Sequence, residues 1–163
     1  MYSKILVPVD GSDTSTAGLN EAIRLAKIQG SQLYLMHIVN EFVMDYTFQP
    51  GPFTEDLFEA LRKEGKEILD AAEKLALAQG IRPIRVMVES IGGVAADLIL
   101  EQAKESKVDL IVMGTHGRRG IFRLATGSDA EQVLRGATVP VLLIRGQAAV
   151  KKPAVKAATA TAA

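Results

Sequence analysis

The chain has 163 residues, 48% of them hydrophobic, so length and composition indicate one packed globular domain. Its 19 Lys and Arg residues balance 19 Asp and Glu residues, so no overall field attracts it to nucleic acid or to an anionic membrane. The absence of cysteine excludes disulfides, thiolate nucleophiles and cysteine-based metal sites.

No targeting segment or membrane span is predicted. The N-terminus runs directly into strand-like sequence and lacks the apolar region and cleavage site of a signal peptide. No apolar run approaches the roughly 20 residues that a membrane-spanning helix needs. We therefore expect a cytoplasmic protein.

Short apolar runs alternate with helical periodicities along the chain. Strands are predicted over residues 5–9, 33–39, 84–88, 110–113 and 139–144. Helices are predicted between the first two strands and closed by Gly30, over 54–79 with Gly80 closing it, after Gly92-Gly93, and over 128–135. This alternation predicts an α/β fold, an open parallel sheet with helices on both faces.

Two segments show no clear period. Residues 40–53 contain Pro50-Gly51-Pro52 and are predicted to be a loop, which is a candidate lid because a long helix follows it. Residues 146–163 are predicted to be a flexible tail, and the domain is predicted to span 1–145. The three lysines of the tail could contact an acidic partner, although a solubilising role is favoured.

The fourth strand is followed by Gly114-Thr115-His116-Gly117 and, nine residues later, by Gly127-Ser128 at the start of a helical pattern. Glycine allows a ligand to approach main-chain N–H groups closely. A helix N-terminus adds unpaired N–H donors and a partial positive charge. Together they predict a phosphate site. Ser128 is placed to cap the helix, to contact a phosphate, or both.

Two common nucleotide-binding patterns are missing. No G-x-x-x-x-G-K-[ST] occurs, so the chain is not a P-loop NTPase. No G-x-G-x-x-G follows the first strand, which argues against a standard dinucleotide site. His116 could donate to a phosphate or lie on the surface, with neither favoured, whereas His37 is predicted to be a packed core residue.

Asp10 follows the first strand, at the sheet edge where open parallel sheets bind ligands. It could accept hydrogen bonds from ribose hydroxyls, hold a metal ion, or cap the next helix. Because Ser12 and Asp13 are also available as caps, a binding role is favoured. No nucleophile and base show a recognisable spacing, so catalysis has little support.

The run from Ile5 to Ser12, the pattern Gly114-x2-Gly117-x9-Gly127-Ser128 and the run from Val139 to Ile144 together resemble the universal stress protein family, in its ATP-binding branch. The resemblance covers residues 1–145. It implies a five-stranded parallel sheet of order 3-2-1-4-5, like that of adenine nucleotide alpha-hydrolases. It also implies a stress-response module that binds ATP, with Mg²⁺, and a homodimer formed through strand 141–144.

The resemblance also assigns residues to the site. Asp10 would hold the ribose, and the adenine pocket would be lined by Pro8, Val9 and Val39. Main-chain groups near Val39 would read the edge of the base. The ribose and phosphates would be surrounded by Met113, Gly114, His116, Gly117, Gly127 and Ser128.

Asp129 departs from the family, which often has an apolar residue there. Beside a triphosphate it would repel the ligand or help to hold Mg²⁺.

Three functions are therefore considered. The first is an ATP-dependent regulatory module with slow or no hydrolysis. The second is an Mg²⁺-dependent ATPase or related hydrolase of the same fold. The third is a nucleotide-free protein that acts through its dimer or its tail on an unknown protein partner.

Overall fold

The computed structural model describes residues 1–40, 55–90, 92–115 and 127–145. The strands are β1 (Lys4–Pro8), β2 (Gln32–Asn40), β3 (Ile84–Ser90), β4 (Leu110–Gly114) and β5 (Val141–Ile144). The helices are α1 (Asp13–Gln29), α2 (Glu55–Ala78), α3 (Ala95–Glu105) and α4 (Ser128–Gly136). The predicted lid, 40–53, lies outside the described residues beyond its first residue, and so does the predicted tail. The proposed domain boundary stays a prediction.

The strands form one sheet with the order β3-β2-β1-β4-β5, and each adjacent pair is parallel. The predicted order is confirmed. β1 lies between β2 and β4, with Ile5 opposite Leu33 on one side and Leu110 on the other. The chain order reverses here, so the carboxyl ends of β1 and β4 lie side by side.

Helices cover both faces of the sheet, as predicted. α1 and α2 pack on one face, where Leu19, Ile23 and Leu69 join a buried cluster with strand residues such as Val7. α3 and α4 pack on the other, where the cluster includes Ile99, Val133 and Ile111. Because β1 and β4 are buried on both faces, they read as continuous apolar runs and not as alternating ones.

Most helix ends agree with the sequence. α1 ends at Gly30, which adopts the left-handed conformation at φ 73° and donates its N–H to Ala26. The buried face of α2 is formed by Leu69, Ala72 and Ala76, which recur at helical spacing, whereas Leu75 is 41% exposed. β5 begins at Val141, two residues later than predicted.

The amino-terminal edge of the sheet is closed by Asp109, which precedes β4. Its two carboxylate oxygens accept from the N–H groups of Ser3 and Lys4, at 2.8 and 3.0 Å. Burial alone would raise the pKa of Asp109, but these donors hold that pKa below its usual range. The carboxylate thereby fixes the start of β1 beside β4.

No helix in the described parts of the chain is long and apolar enough to cross a membrane. The expected cytoplasmic location stays a prediction.

Candidate functional site

The candidate site lies at the carboxyl edge of the sheet, where β1 ends at Pro8 and β4 ends at Gly114. In an open parallel sheet this edge, at the reversal of strand order, is where ligands bind. Asp10 follows β1, and the glycine pattern follows β4. The topology thus brings together the two segments that were singled out in the sequence.

Asp10 forms part of a tight turn between β1 and α1. Its Oδ1 atom accepts from the N–H of Ser12 at 2.9 Å, and its own N–H donates to the hydroxyl of Ser15 at 3.2 Å. The cap of α1 is Ser12, whose hydroxyl accepts from the N–H of Ser15 at 3.2 Å. The expectation that another residue caps α1 is therefore confirmed, and Asp10 stands just outside the helix at the sheet edge.

Gly114 has a packing reason to be glycine. A Cβ atom there would lie 2.8 Å from the main-chain carbon and oxygen of Thr14, and 3.0 Å from the nitrogen of Ser15. Gly18, one turn further along α1, also lies against the end of β4, since a Cβ on it would be 3.2 Å from the nitrogen of Gly114. The first turns of α1 thus touch the end of β4 backbone to backbone, and they bring the Asp10 turn next to the glycine pattern.

The two ends of the segment that follows β4 are held together. Thr115 donates its N–H to the carbonyl of Ile144 at 2.9 Å, and its own carbonyl accepts from the N–H of Gly127 at 2.7 Å. The start of α4 is therefore fixed at the end of β4. His116 and Gly117 belong to the predicted site but lie outside the described residues.

The N-terminus of α4 corrects one expectation. Its cap residue is Gly127, with φ −60° and ψ 149°, which has no side chain that could accept from the first turn. Ser128 is the first helical residue, so the prediction that it is the cap is wrong, because the backbone leaves the extended conformation one residue earlier than expected. The first bond of the helix runs from the N–H of Glu131 to the carbonyl of Gly127, at 3.0 Å. The helix thus offers no acceptor for the N–H groups of Ser128, Asp129 and Ala130.

Among the described residues, the charge in the first turn of α4 comes from acidic side chains. Asp129 and Glu131 both lie in the first turn of α4 and are exposed. Carboxylates there interact favourably with the helix dipole. Glu131 is paired with Arg135 at 2.6 Å. A phosphate bound at this helix end would therefore lie close to the carboxylate of Asp129.

The remaining predicted pocket residues line the ends of β1, β2 and β4. Val9 is 5% exposed, its N–H donates to the carbonyl of Met36 at 2.8 Å, and its carbonyl accepts from Nδ1 of His37 at 2.7 Å. The prediction that His37 is a packed core residue is confirmed. Met113 is 7% exposed and packs in the cluster beneath α3 and α4.

β2 extends beyond the end of β1, and this leaves part of its backbone edge uncovered by β1. Pro8 is the last β1 residue in register with β2, opposite Met36, whereas β2 continues beside β3 to Asn40. The carbonyl of Met36 points toward β1, because it accepts from Val9. Backbone groups alternate sides along a strand, so those of Ile38 also point toward β1, and those of Val39 toward β3.

Sequence reasoning did not name two residues of this edge. Main-chain groups near Val39 were expected at the site, and strand alternation identifies those of Ile38 as the ones that point toward it once the pairing with β1 is known. Ser15 joins α1 to the Asp10 turn and is 6% exposed, but serine is common near a helix start and gave no distinct signal.

No group of three or more His, Cys, Asp or Glu side chains that could hold a metal ion occurs within residues 1–40, 55–90, 92–115 and 127–145. The described edge instead offers an oriented carboxylate, backbone hydrogen-bonding groups and the N-terminus of α4. This chemistry suits a ligand that carries hydroxyls, a planar polar edge and an anionic group.

Comparison with known proteins identifies the family. The model of the universal stress protein family matches residues 1–145. The chain belongs to this family. Universal stress protein MJ0531 of Methanocaldococcus jannaschii is 37% identical over 146 residues, which cover 89% of this chain and 83% of that protein.

Solved structures of universal stress proteins share the fold. The structure of MJ0577, another M. jannaschii universal stress protein, matches with a TM-score of 0.76 and 26% identity, over 89% of this chain and 96% of that one. The universal stress protein from Archaeoglobus fulgidus in complex with dAMP matches with a TM-score of 0.64 and 26% identity, over 88% and 98%. That relative therefore binds an adenine nucleotide.

Proposed function

We propose that this universal stress protein binds ATP or another adenine nucleotide at the carboxyl edge of β1 and β4, as a regulatory module of the stress response with slow or no hydrolysis. The observation that carries the proposal is one set of contacts. The Asp10 turn is bonded to Ser15, Ser15 and Thr14 touch Gly114, and the next residue, Thr115, is bonded to Gly127 at the start of α4.

Each part of a nucleotide has a partner in this arrangement. The N–H groups at the start of α4 would bind the phosphates, since the cap residue Gly127 has no side chain to occupy them and allows close approach. Asp10 would accept from ribose hydroxyls. Backbone groups of β2 at Ile38 would read the base edge, next to Pro8, Val9 and Val39.

The complex of the A. fulgidus relative with dAMP supports an adenine base. His116 and Gly117 are proposed to complete the phosphate site, by resemblance to the family.

Mg²⁺ would be held mainly by the phosphates, because this ion commonly keeps several waters and takes one or two carboxylates. Asp129, in the first turn of α4, is the side chain that we propose as the protein ligand of Mg²⁺. When Mg²⁺ is bound, it would neutralise phosphate charge beside that carboxylate.

The proposed homodimer uses β5. This strand is paired with β4 on one side and forms an edge of the sheet, and its four apolar residues are only half-buried. An edge strand of this kind presents unpaired N–H and C=O groups that a second copy could cover with two-fold symmetry.

Titration calorimetry with ATP, ADP, AMP and cyclic AMP tests the proposal, with and without Mg²⁺. Saturable binding of at least one of them is expected, and it should be lost or strongly weakened in Asp10→Ala. Absence of binding by all four would contradict the proposal and favour a nucleotide-free interaction protein.

Mass spectrometry of nucleotide released from the purified protein would identify a ligand that co-purifies. An ATPase turnover above about one per second, the low end of ordinary enzymes, would instead favour the hydrolase.

A further inference from the structure

His37 lies where β2 passes the end of β1, between the proposed nucleotide site and α2. Its side chain is 8% exposed, and its Nδ1 atom is 2.7 Å from the carbonyl oxygen of Val9. A carbonyl oxygen only accepts hydrogen bonds, so Nδ1 carries the hydrogen and donates it. The proposed function so far gives this buried ring no role.

The peptide group between Val9 and Asp10 is held on both sides. Its carbonyl accepts from His37 of β2, and its N–H donates to the hydroxyl of Ser15 of α1, at 3.2 Å. Because a peptide group is planar, two bonds on opposite sides fix its orientation. This peptide carries Asp10, so the two bonds also set the direction in which the Asp10 side chain leaves the backbone.

Gly65 allows α2 to lie directly against the His37 ring. A Cβ atom at this buried position would be 2.8 Å from Cδ2 of His37 and 3.1 Å from Cγ2 of Val39. The first distance is shorter than Cβ contacts in real structures, so an alanine would push the ring or the helix away. Glycine is unfavourable inside a helix, and its place opposite His37 therefore has a packing cause.

Ion pairs hold α2 on β3 on both sides of this contact. Arg62, before Gly65, bonds Glu89 at 3.0 Å, and Asp70, after it, pairs with Arg85 at 2.7 Å. Several contacts therefore define the position of α2 over the sheet. They also define the space that the His37 ring occupies.

We propose that His37 is a positioning residue that couples the seating of α2 at Gly65 to the orientation of the Val9–Asp10 peptide, and hence to nucleotide affinity. The effect on affinity rests on the proposed function. A partner that displaces α2 would weaken nucleotide binding, and nucleotide would oppose that displacement by the same factor, because coupling between two sites is reciprocal.

A double-mutant cycle tests the coupling. Gly65→Ala should weaken adenine-nucleotide binding about tenfold, within the usual range of coupling between sites. Its methyl group would meet the His37 ring and also Cγ2 of Val39, which lines the proposed adenine pocket, so the cycle must separate the two routes. His37→Asn places a donor near the position of Nδ1 but lacks the ring edge that the added methyl group would meet. In that background Gly65→Ala should change affinity less than about twofold. His37→Leu, which keeps the bulk without the donor, should bind about as weakly as Gly65→Ala.

The matched control is Glu67→Ala, on the exposed side of α2, which should leave affinity unchanged. An unchanged affinity in a folded Gly65→Ala protein, or an equal loss in both backgrounds, would overturn the proposal.

Two measurements without nucleotide separate this inference from the proposed function. Nuclear magnetic resonance of the His37 ring nitrogens should show hydrogen on Nδ1, and hydrogen exchange at the Asp10 amide should be faster in Gly65→Ala but not in the double variant. A ring with hydrogen only on Nε2, or equal exchange in wild type and Gly65→Ala, would overturn the coupling even if nucleotide binds. If both hold and no nucleotide binds, only the proposed function fails.

Discussion

The helices α1 and α4 both begin at the carboxyl edge of the sheet, but their N-termini are built differently. At α1, Ser12 caps the first turn and its own N–H is bonded by Asp10. At α4, the cap residue is Gly127, which has no side chain to take that place. One helix start is thus capped by its own chain, whereas the cap residue of the other leaves its first N–H groups open to a ligand. The comparison supports a structural role for the start of α1 and the proposed binding role for the start of α4.

The largest expected effect concerns the contact that brings the two helix starts together. Gly114→Ala should lower the free energy of unfolding by about 1–3 kcal/mol, because the new Cβ would meet the backbone of Thr14, which cannot rotate away. Denaturant unfolding measures this change.

Gly136→Ala is the matched control, since the close contact of its Cβ would be with Cδ1 of Leu100, the end of a flexible side chain. It should change stability by less than about 1 kcal/mol. If the two variants lose the same stability, α1 and β4 do not pack as closely as described.

A side-chain cap added to α4 should make it resemble α1. Gly127 has φ −60°, which any residue can adopt, so Gly127→Asn introduces a cap without backbone strain. Its amide oxygen would compete with phosphate for the same N–H groups, and nucleotide affinity should fall about tenfold, or about 1.4 kcal/mol. Calorimetric titration measures the loss. Unchanged affinity with a folded variant would show that phosphate does not bind there.

Serine substitutions compare the two helix starts directly. Ser12→Ala should cost about 1 kcal/mol of stability, because it removes the cap of α1. Ser128→Ala should cost less than about 0.5 kcal/mol, because Ser128 is not the cap. Thermal or denaturant unfolding of both variants gives the values. Equal losses would contradict the assignment of Gly127 as the cap residue.

The smallest expected effect is at Asp129. Asp129→Asn should tighten ATP binding severalfold when Mg²⁺ is chelated, because it removes a negative charge beside the phosphates. The gain should shrink when AMP replaces ATP. With Mg²⁺ present it should disappear or become a loss of affinity, because Asp129 is the proposed protein ligand of that ion. Titrations under these conditions measure the change, and an equal gain with and without Mg²⁺ would show that Asp129 does not hold the ion.

The sheet could be predicted because residues within or next to each strand and helix indicate its type and where it ends. Gly30 and Gly80 close helices, and the apolar runs of β1 and β4 have no polar face that could suggest another environment. The order of the strands came from the resemblance to the family and was not read from periodicity. It is confirmed by the pairing of β1 with both β2 and β4.

The site could be predicted only in part, because its remaining features depend on contacts distant in sequence. The backbone direction of Ile38 is fixed by the bond from Val9 to Met36, and the need for glycine at 114 and 65 is fixed by Thr14 and His37. The local sequence pattern around a residue does not show which distant residues will contact it. The same limit explains Ser128, where the cap position depends on the backbone turn at Gly127.

Binding of phosphate at the start of α4 is tested most directly by an amide nuclear magnetic resonance titration of the wild-type protein with an adenine nucleotide. The amides of Ser128, Asp129 and Ala130 should shift strongly on saturation. The amides of Ser15 and Thr16, which are already bonded to Ser12, should shift much less. Shifts confined to α1, or binding that leaves the start of α4 unchanged, would show that the phosphates do not bind there.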